Sequence, residues 1–182
     1  VLFVITFGML FIVGANFWQF ILLIGTGILL FVWLVLSASY RLKRFTGFLE
    51  PFKDPYGTGF QLTNSLMAFG RGEISGEGLG NSIQKLDYLP EAHTDFIMAI
   101  IGEEFGFIGI LVVVILLGLL IFRAMKIGRE SLMLEQRFRG FFALGISFWI
   151  FFQGFVNLGM ALGMLPTKGL TFPLVSYGGS SI

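Results

Sequence analysis

Five acidic, basic or imidazole side chains crowd into eleven residues: Lys85, Asp87, Glu91, His93 and Asp95. They stand directly before an apolar run that opens at Phe96. Partial desolvation at the edge of such a run favours the protonated form of a carboxylate. A carboxylate so placed suits a general base that takes the proton of a sugar hydroxyl. Lys85 and His93 could balance the charge of a diphosphate leaving group. Plainer readings stand beside these. Asp95 could cap the helix that follows it, because Asp is favoured at that position. His93 could be structural, and one His in a chain with no cysteine makes a poor zinc site. The lack of cysteine also excludes disulfides and thiol nucleophiles.

The residues around this group read GRGEISGEGLGNSIQKLDYLPEAHTDFIMAIIGEEFG over 70–106. Glycines at 70, 72, 76, 78 and 80 forbid a regular helix and permit close backbone approach to a ligand. Neither a dinucleotide fingerprint nor a P-loop fits, for no strand precedes them and no lysine stands at the required offset. A flexible outer loop is the simpler alternative. Glu103 and Glu104 lie inside the apolar run, where charge is costly. They are either interfacial charges or groups facing the protein interior, bonded to loop backbone or to Arg71.

Lipid must surround the elements that carry these residues. Of 182 residues 55% are hydrophobic and 13% charged, about half the charge of an ordinary soluble domain. No charge occurs in 1–40 or in 140–167. Lys and Arg gather beside the apolar runs and form no basic face, so no nucleic-acid partner is expected. A membrane core of ~30 Å takes about 20 helical residues. On that rule the chain reads as an all-α, polytopic transmembrane helical bundle with about four full spans, a partial one and a large extracytoplasmic loop. Spans are expected at 1–13 (partial), 17–37, 96–122 and 140–164. The chain looks like a fragment, with its first and last elements cut: it starts at Val1 without an initiator Met, and a last helix only opens at 178–182.

Basic segments at 41–53 and 123–139 belong in the cytoplasm by the positive-inside rule. One span separates the second from 71–95, which therefore lies outside, and its two basic and five acidic residues agree. Parity then demands a crossing at 55–70, although Gly57, Gly59, Gln61, Thr63, Asn64 and Ser65 make it short and polar. Sixteen residues reach about 24 Å as helix. Such a segment survives at membrane depth only against protein or a wet cavity. A short or broken helix inside the bundle is expected, with a re-entrant segment as the alternative. An outer loop at 165–177, bounded by Pro166 and Pro173, completes the topology.

The longest motifs are QLTNS with MAFGRGE (61–73), GEGLGNSIQKLDYLPEAHTDFI (76–97), IGEEFG (101–106) and GMLPTKGLTFPLVSYGGSS (163–181). Together they resemble the SEDS family of membrane glycosyltransferases, nearer its cell-division branch than its elongation branch. The resemblance covers nearly the whole chain and implies the second half of that family's helical bundle. It implies a peptidoglycan glycosyltransferase that polymerises lipid II, with loss of undecaprenyl diphosphate, at the septum of the bacterial cytoplasmic (inner) membrane. It singles out Asp95 as the catalytic aspartate and Asp87 as its acidic companion. Lys85, Glu91, His93, Arg71, Lys168, Thr171 and Ser176 follow as substrate-binding candidates. No cofactor or metal-ligand set is evident, although a divalent cation bridging diphosphate and carboxylate stays open. The implied partners are a class B penicillin-binding transpeptidase, other division proteins and membrane lipid. Two competing functions remain, a lipid II translocase lined by Gln61, Asn64, Gln153 and Asn157, and a scaffold for the division complex.

Overall fold

A computed structural model describes residues 2–14, 17–37, 48, 50–57, 59–85, 89, 93–167 and 169–177. Asp87, Glu91 and Lys168 lie outside these residues, as does the last-helix start at 178–182. The described chain is helical, with no strand: α1 (Leu2–Val13), α2 (Phe17–Leu36), α3 (Phe60–Gly72), α4 (Ile97–Met133) and α5 (Arg137–Ala161). Among the described residues, α4 and α5 are long and apolar enough to cross a membrane.

The helix ends differ from the expected spans for local reasons. α4 continues past position 122 through the basic stretch to Met133, since Arg, Lys, Met, Leu and Glu are good helix formers and no Pro intervenes. It stops at a Schellman turn: Gln136 N donates to Ser131 O at 3.0 Å and Glu135 N to Leu132 O at 3.1 Å, with Glu135 at φ 60°. α5 starts at Arg137, before the apolar run, and ends at Ala161 in a second such turn. There Gly163, at φ 71°, supplies the left-handed residue, and Met164 N donates to Gly159 O at 2.7 Å. α3 starts only at Phe60, because 50–57 forms a 3-10 turn at Pro51–Lys53 and further turns. In that turn Lys53 donates to Glu50 at 2.5 Å, and this hydrogen bond with its charge holds the ammonium above its usual pKa.

The chain divides into two compact units. The first comprises 1–42 and 118–152. Within it the end of α4 and the start of α5 approach closely at Gly128 and Gly140, where a Cβ would strike Leu144 and Leu132. The second comprises 43–117 and 153–182 and holds every described residue expected at the site. Its core joins Ala68, Leu89, Phe96, Ala99, Ile100 and Ala161, with Phe69 packed against them. The thirteen residues of α3 reach about 20 Å. Its polar residues point inward: Thr63, Asn64 and Ser65 are buried, Thr63 Oγ1 donates to Pro51 O at 3.0 Å and Ser65 Oγ to Ala161 O at 2.8 Å. Burial of the Thr63 and Ser65 hydroxyls is tolerable because they are hydrogen-bonded.

Candidate active site

A break in α4 organises one side of the second unit. Gly106 has φ 66° and ψ −162°, outside any helix. In an unbroken helix the amides of Phe107 and Ile108 would donate to the carbonyls of Glu103 and Glu104. Here they donate to Glu73 O (3.0 Å) and Ile74 O (3.2 Å), while Glu103 O and Glu104 O accept from the amides of Glu77 and Gly78, 3.0 Å each. The loop after α3 is spliced into the helix, and all four freed main-chain groups are paired. A Cβ at Gly72, Gly76 or Gly106 would collide with backbone across this splice. The close approach that the glycines permit is therefore to helix backbone at these positions.

The splice carries two carboxylates inward. Glu103 is fully buried. Its Oε2 accepts from Ser82 Oγ at 2.5 Å and from the Gln84 amide at 3.2 Å, and its Oε1 from the Ile83 amide at 3.2 Å. Arg71 Nη1 lies 3.8 Å from Oε1, and Arg71 Nε lies 3.6 Å from Glu77. Glu104 binds Lys85 Nζ at 2.6 Å. Arg71 and Lys85, two expected phosphate binders, thus sit among three carboxylates that tie the 77–85 loop to α4. Both alternatives for Glu103 at the level of sequence are resolved by these bonds: it holds loop backbone and stands beside Arg71.

Asp95 lies in a different cluster. Three successive carbonyls there each meet a donor from α5 or from the segment after it. His93 O accepts from the Tyr177 amide at 2.9 Å, Thr94 O from Ser176 Oγ at 2.5 Å, and Asp95 O from Asn157 Nδ2 at 2.7 Å. Asn157 Nδ2 also reaches Leu170 O at 2.5 Å. One helical turn earlier on α5, Gln153 donates to Thr171 O at 3.0 Å and to Thr171 Oγ1 at 3.3 Å. A Cβ at Gly169 would stand 3.2 Å from Asp95 Oδ2, so the carboxylate lies against that backbone. Asp95, Thr171 and Ser176 are brought together in this way. Ser176 is buried, its hydroxyl accepting from the Phe172 amide at 2.6 Å as well as donating to Thr94 O. The His93 side chain is exposed.

Three residues of the site carried little signal in the sequence. Ser82 is buried against Glu103, yet nothing distinguishes it from other loop serines. Gln153 and Asn157 are two amides at helical spacing within a charge-free run, a pattern that favours helix contacts over a head-group path. Both are engaged with main-chain carbonyls, at Thr171 for Gln153 and at Asp95 and Leu170 for Asn157. Among the described residues no three His, Asp or Glu side chains converge to hold an ion.

The chain is 88% identical over 182 residues to the probable peptidoglycan glycosyltransferase FtsW of Haemophilus influenzae. It is 86% identical to the protein of that name from Pasteurella multocida and 59% identical to that from Escherichia coli O6:H1. All of this chain is covered in each case, but it spans only 46%, 46% and 44% of those relatives' own lengths. A solved structure described as "Structural coordination of polymerization and crosslinking by a peptidoglycan synthase complex" superposes with a TM-score of 0.67 at 30% identity. It covers 96% of this chain and 47% of that one. The profile of one family, described as cell cycle protein, matches residues 1–182 from end to end, and the chain belongs to this FtsW/RodA/SpoVE family.

Proposed function

We propose that the protein carrying this chain is a peptidoglycan glycosyltransferase of the division septum, and that Asp95 is its proton acceptor. The observation that carries this reading is the Asp95 carboxylate lying against Gly169 in a chain so close to proteins named for that activity. In the proposed step the 4-hydroxyl of an incoming lipid II sugar attacks the anomeric carbon of the lipid-anchored strand. The new C–O bond forms as the bond to diphosphate breaks, the configuration inverts, the hydroxyl proton passes to Asp95 and undecaprenyl diphosphate departs. Arg71, Lys85 and Lys168 offset the charge that develops on the diphosphate. Asp87, Glu91, His93 and Thr171 contact the sugars or peptide, while Ser176 acts through the backbone it holds at Thr94.

The setting belongs to the same proposal. The bundle sits in the bacterial inner membrane with 71–95 outside, and a class B penicillin-binding transpeptidase and other division proteins bind the whole protein. The resemblance to a structure of coordinated polymerization and crosslinking supports such a partner. A translocase reading is less well supported, because Gln153 and Asn157 are engaged with main-chain carbonyls. The test is lipid II polymerisation by the full-length protein and by Asp95→Asn in liposomes, together with transport of fluorescent lipid II. A glycosyltransferase loses polymer by about 1,000-fold or more when its base is removed, near the upper range for general-base catalysis. Parent-level polymer from the folded variant excludes Asp95 as base, and transport that persists without polymerisation by the parent favours the translocase.

A further inference from the structure

Of the described donors that hold the carbonyls at 93–95, Asn157 is the one side chain from α5, and it joins two segments. One amide hydrogen goes to Asp95 O and the other to Leu170 O, beside the Gly169 backbone on which the Asp95 carboxylate rests. Two carbonyl acceptors also fix which side-chain atom is the nitrogen. The side chain is fully buried, and with both hydrogens committed its Oδ1 has no hydrogen-bond partner among the described residues. An unmet buried acceptor is destabilising. A Leu or Met would remove that cost but strand the carbonyls of Asp95 and Leu170, so the amide is there for the two bonds it donates.

We infer that Asn157 is a positioning residue for the transfer step. It sets the distance between Asp95 and the 169–171 backbone and so aims the carboxylate, which rests on the reading of Asp95 as proton acceptor. Ser176 and the Tyr177 amide tie the two preceding carbonyls to 172–177, the Ser176 hydroxyl accepting from the Phe172 amide as well. Gln153 holds only the Thr171 side. Loss of Asn157 therefore releases Asp95 O and Leu170 O from α5 and from each other, while Ser176 and Tyr177 still tie 93–94 to the later segment.

The experiment uses the full-length protein, with lipid II as substrate and amide hydrogen exchange as a second readout. Asn157→Ala is expected to lower kcat about 100-fold, the loss typical of a reacting group displaced by about 1 Å. KM changes less than kcat, within about threefold, because no substrate-binding side chain is itself replaced. Exchange at the Phe172 and Tyr177 amides quickens, since both bond to groups in the loosened segments. A merely structural residue would lower the folded yield and leave the kcat of the folded fraction intact, and that result overturns the inference. So does a loss confined to KM. Should Asn157→Ala fail to fold, Asn157→Ser retains one donor and is expected to lose about tenfold in kcat; parent-level kcat in that variant also overturns it. If Asp95→Asn is inactive while Asn157→Ala keeps its kcat, only the role of Asn157 falls. If Asp95→Asn polymerises normally, the function reading falls and the role of Asn157 with it.

Discussion

Burying a carboxylate without donors is prohibitive, and Glu103 shows how one is accommodated: a hydroxyl, two amides and a guanidinium surround it. Removing that hub strands three donors and leaves Arg71 beside Glu77 alone. Glu103→Ala should cost about 3 kcal/mol of stability, and Glu103→Gln, which keeps one acceptor oxygen, about 1–2 kcal/mol. Thermal unfolding of the full-length protein in detergent, with limited proteolysis across 73–85, measures both. Unfolding midpoints equal to the parent's would show the hub to be dispensable. The sequence makes an inward role legible for at least one of Glu103 and Glu104, because two adjacent charges in an apolar run need partners. Which of the pair is fully buried is not legible, since neighbouring helix positions differ by about 100° and the break at Gly106 sets the phase. Asp95 stood out with its neighbours as a group, whereas the amides that hold its backbone read as ordinary packing residues.

At the scale of elements, the break in α4 matters most. Hydropathy predicts one uninterrupted helix from Phe96, because the residues on both sides of Gly106 are apolar and glycine is common in membrane helices. Only the main-chain exchange with 73–78 shows that the loop completes the helix. Gly106→Ala would force a Cβ onto Ile74 O in a backbone region closed to side-chain-bearing residues. The expected cost is about 1–3 kcal/mol, with faster amide exchange at Glu77, Gly78, Phe107 and Ile108. Unaltered exchange at these four amides would contradict the splice. The short polar helix was readable at 55–70 from its composition, yet its start was misplaced by five residues. Turn chemistry at Pro51 and Gly59 delays it to Phe60, and such local geometry is not visible in a hydropathy pattern.

At the scale of the whole molecule, α3 is too short to cross a bilayer of ~30 Å alone, and its inward-facing Thr63, Asn64 and Ser65 suit a segment enclosed by protein. The full-length relatives are about twice as long as this chain, so the remaining enclosure is expected from the half that this sequence does not contain. The central claim is that α3 nonetheless completes a crossing, and the proposed topology sets Asp95 and the 71–95 loop on the outer face. The most direct measurement labels a single cysteine in an otherwise cysteine-free full-length protein in intact spheroplasts. Leu79→Cys is the site of choice, since Leu79 is 76% exposed whereas Ser82 is buried against Glu103. A membrane-impermeant thiol reagent should modify Cys at this position before lysis and to the same extent afterwards. Modification only after lysis would place the loop in the cytoplasm and contradict the account.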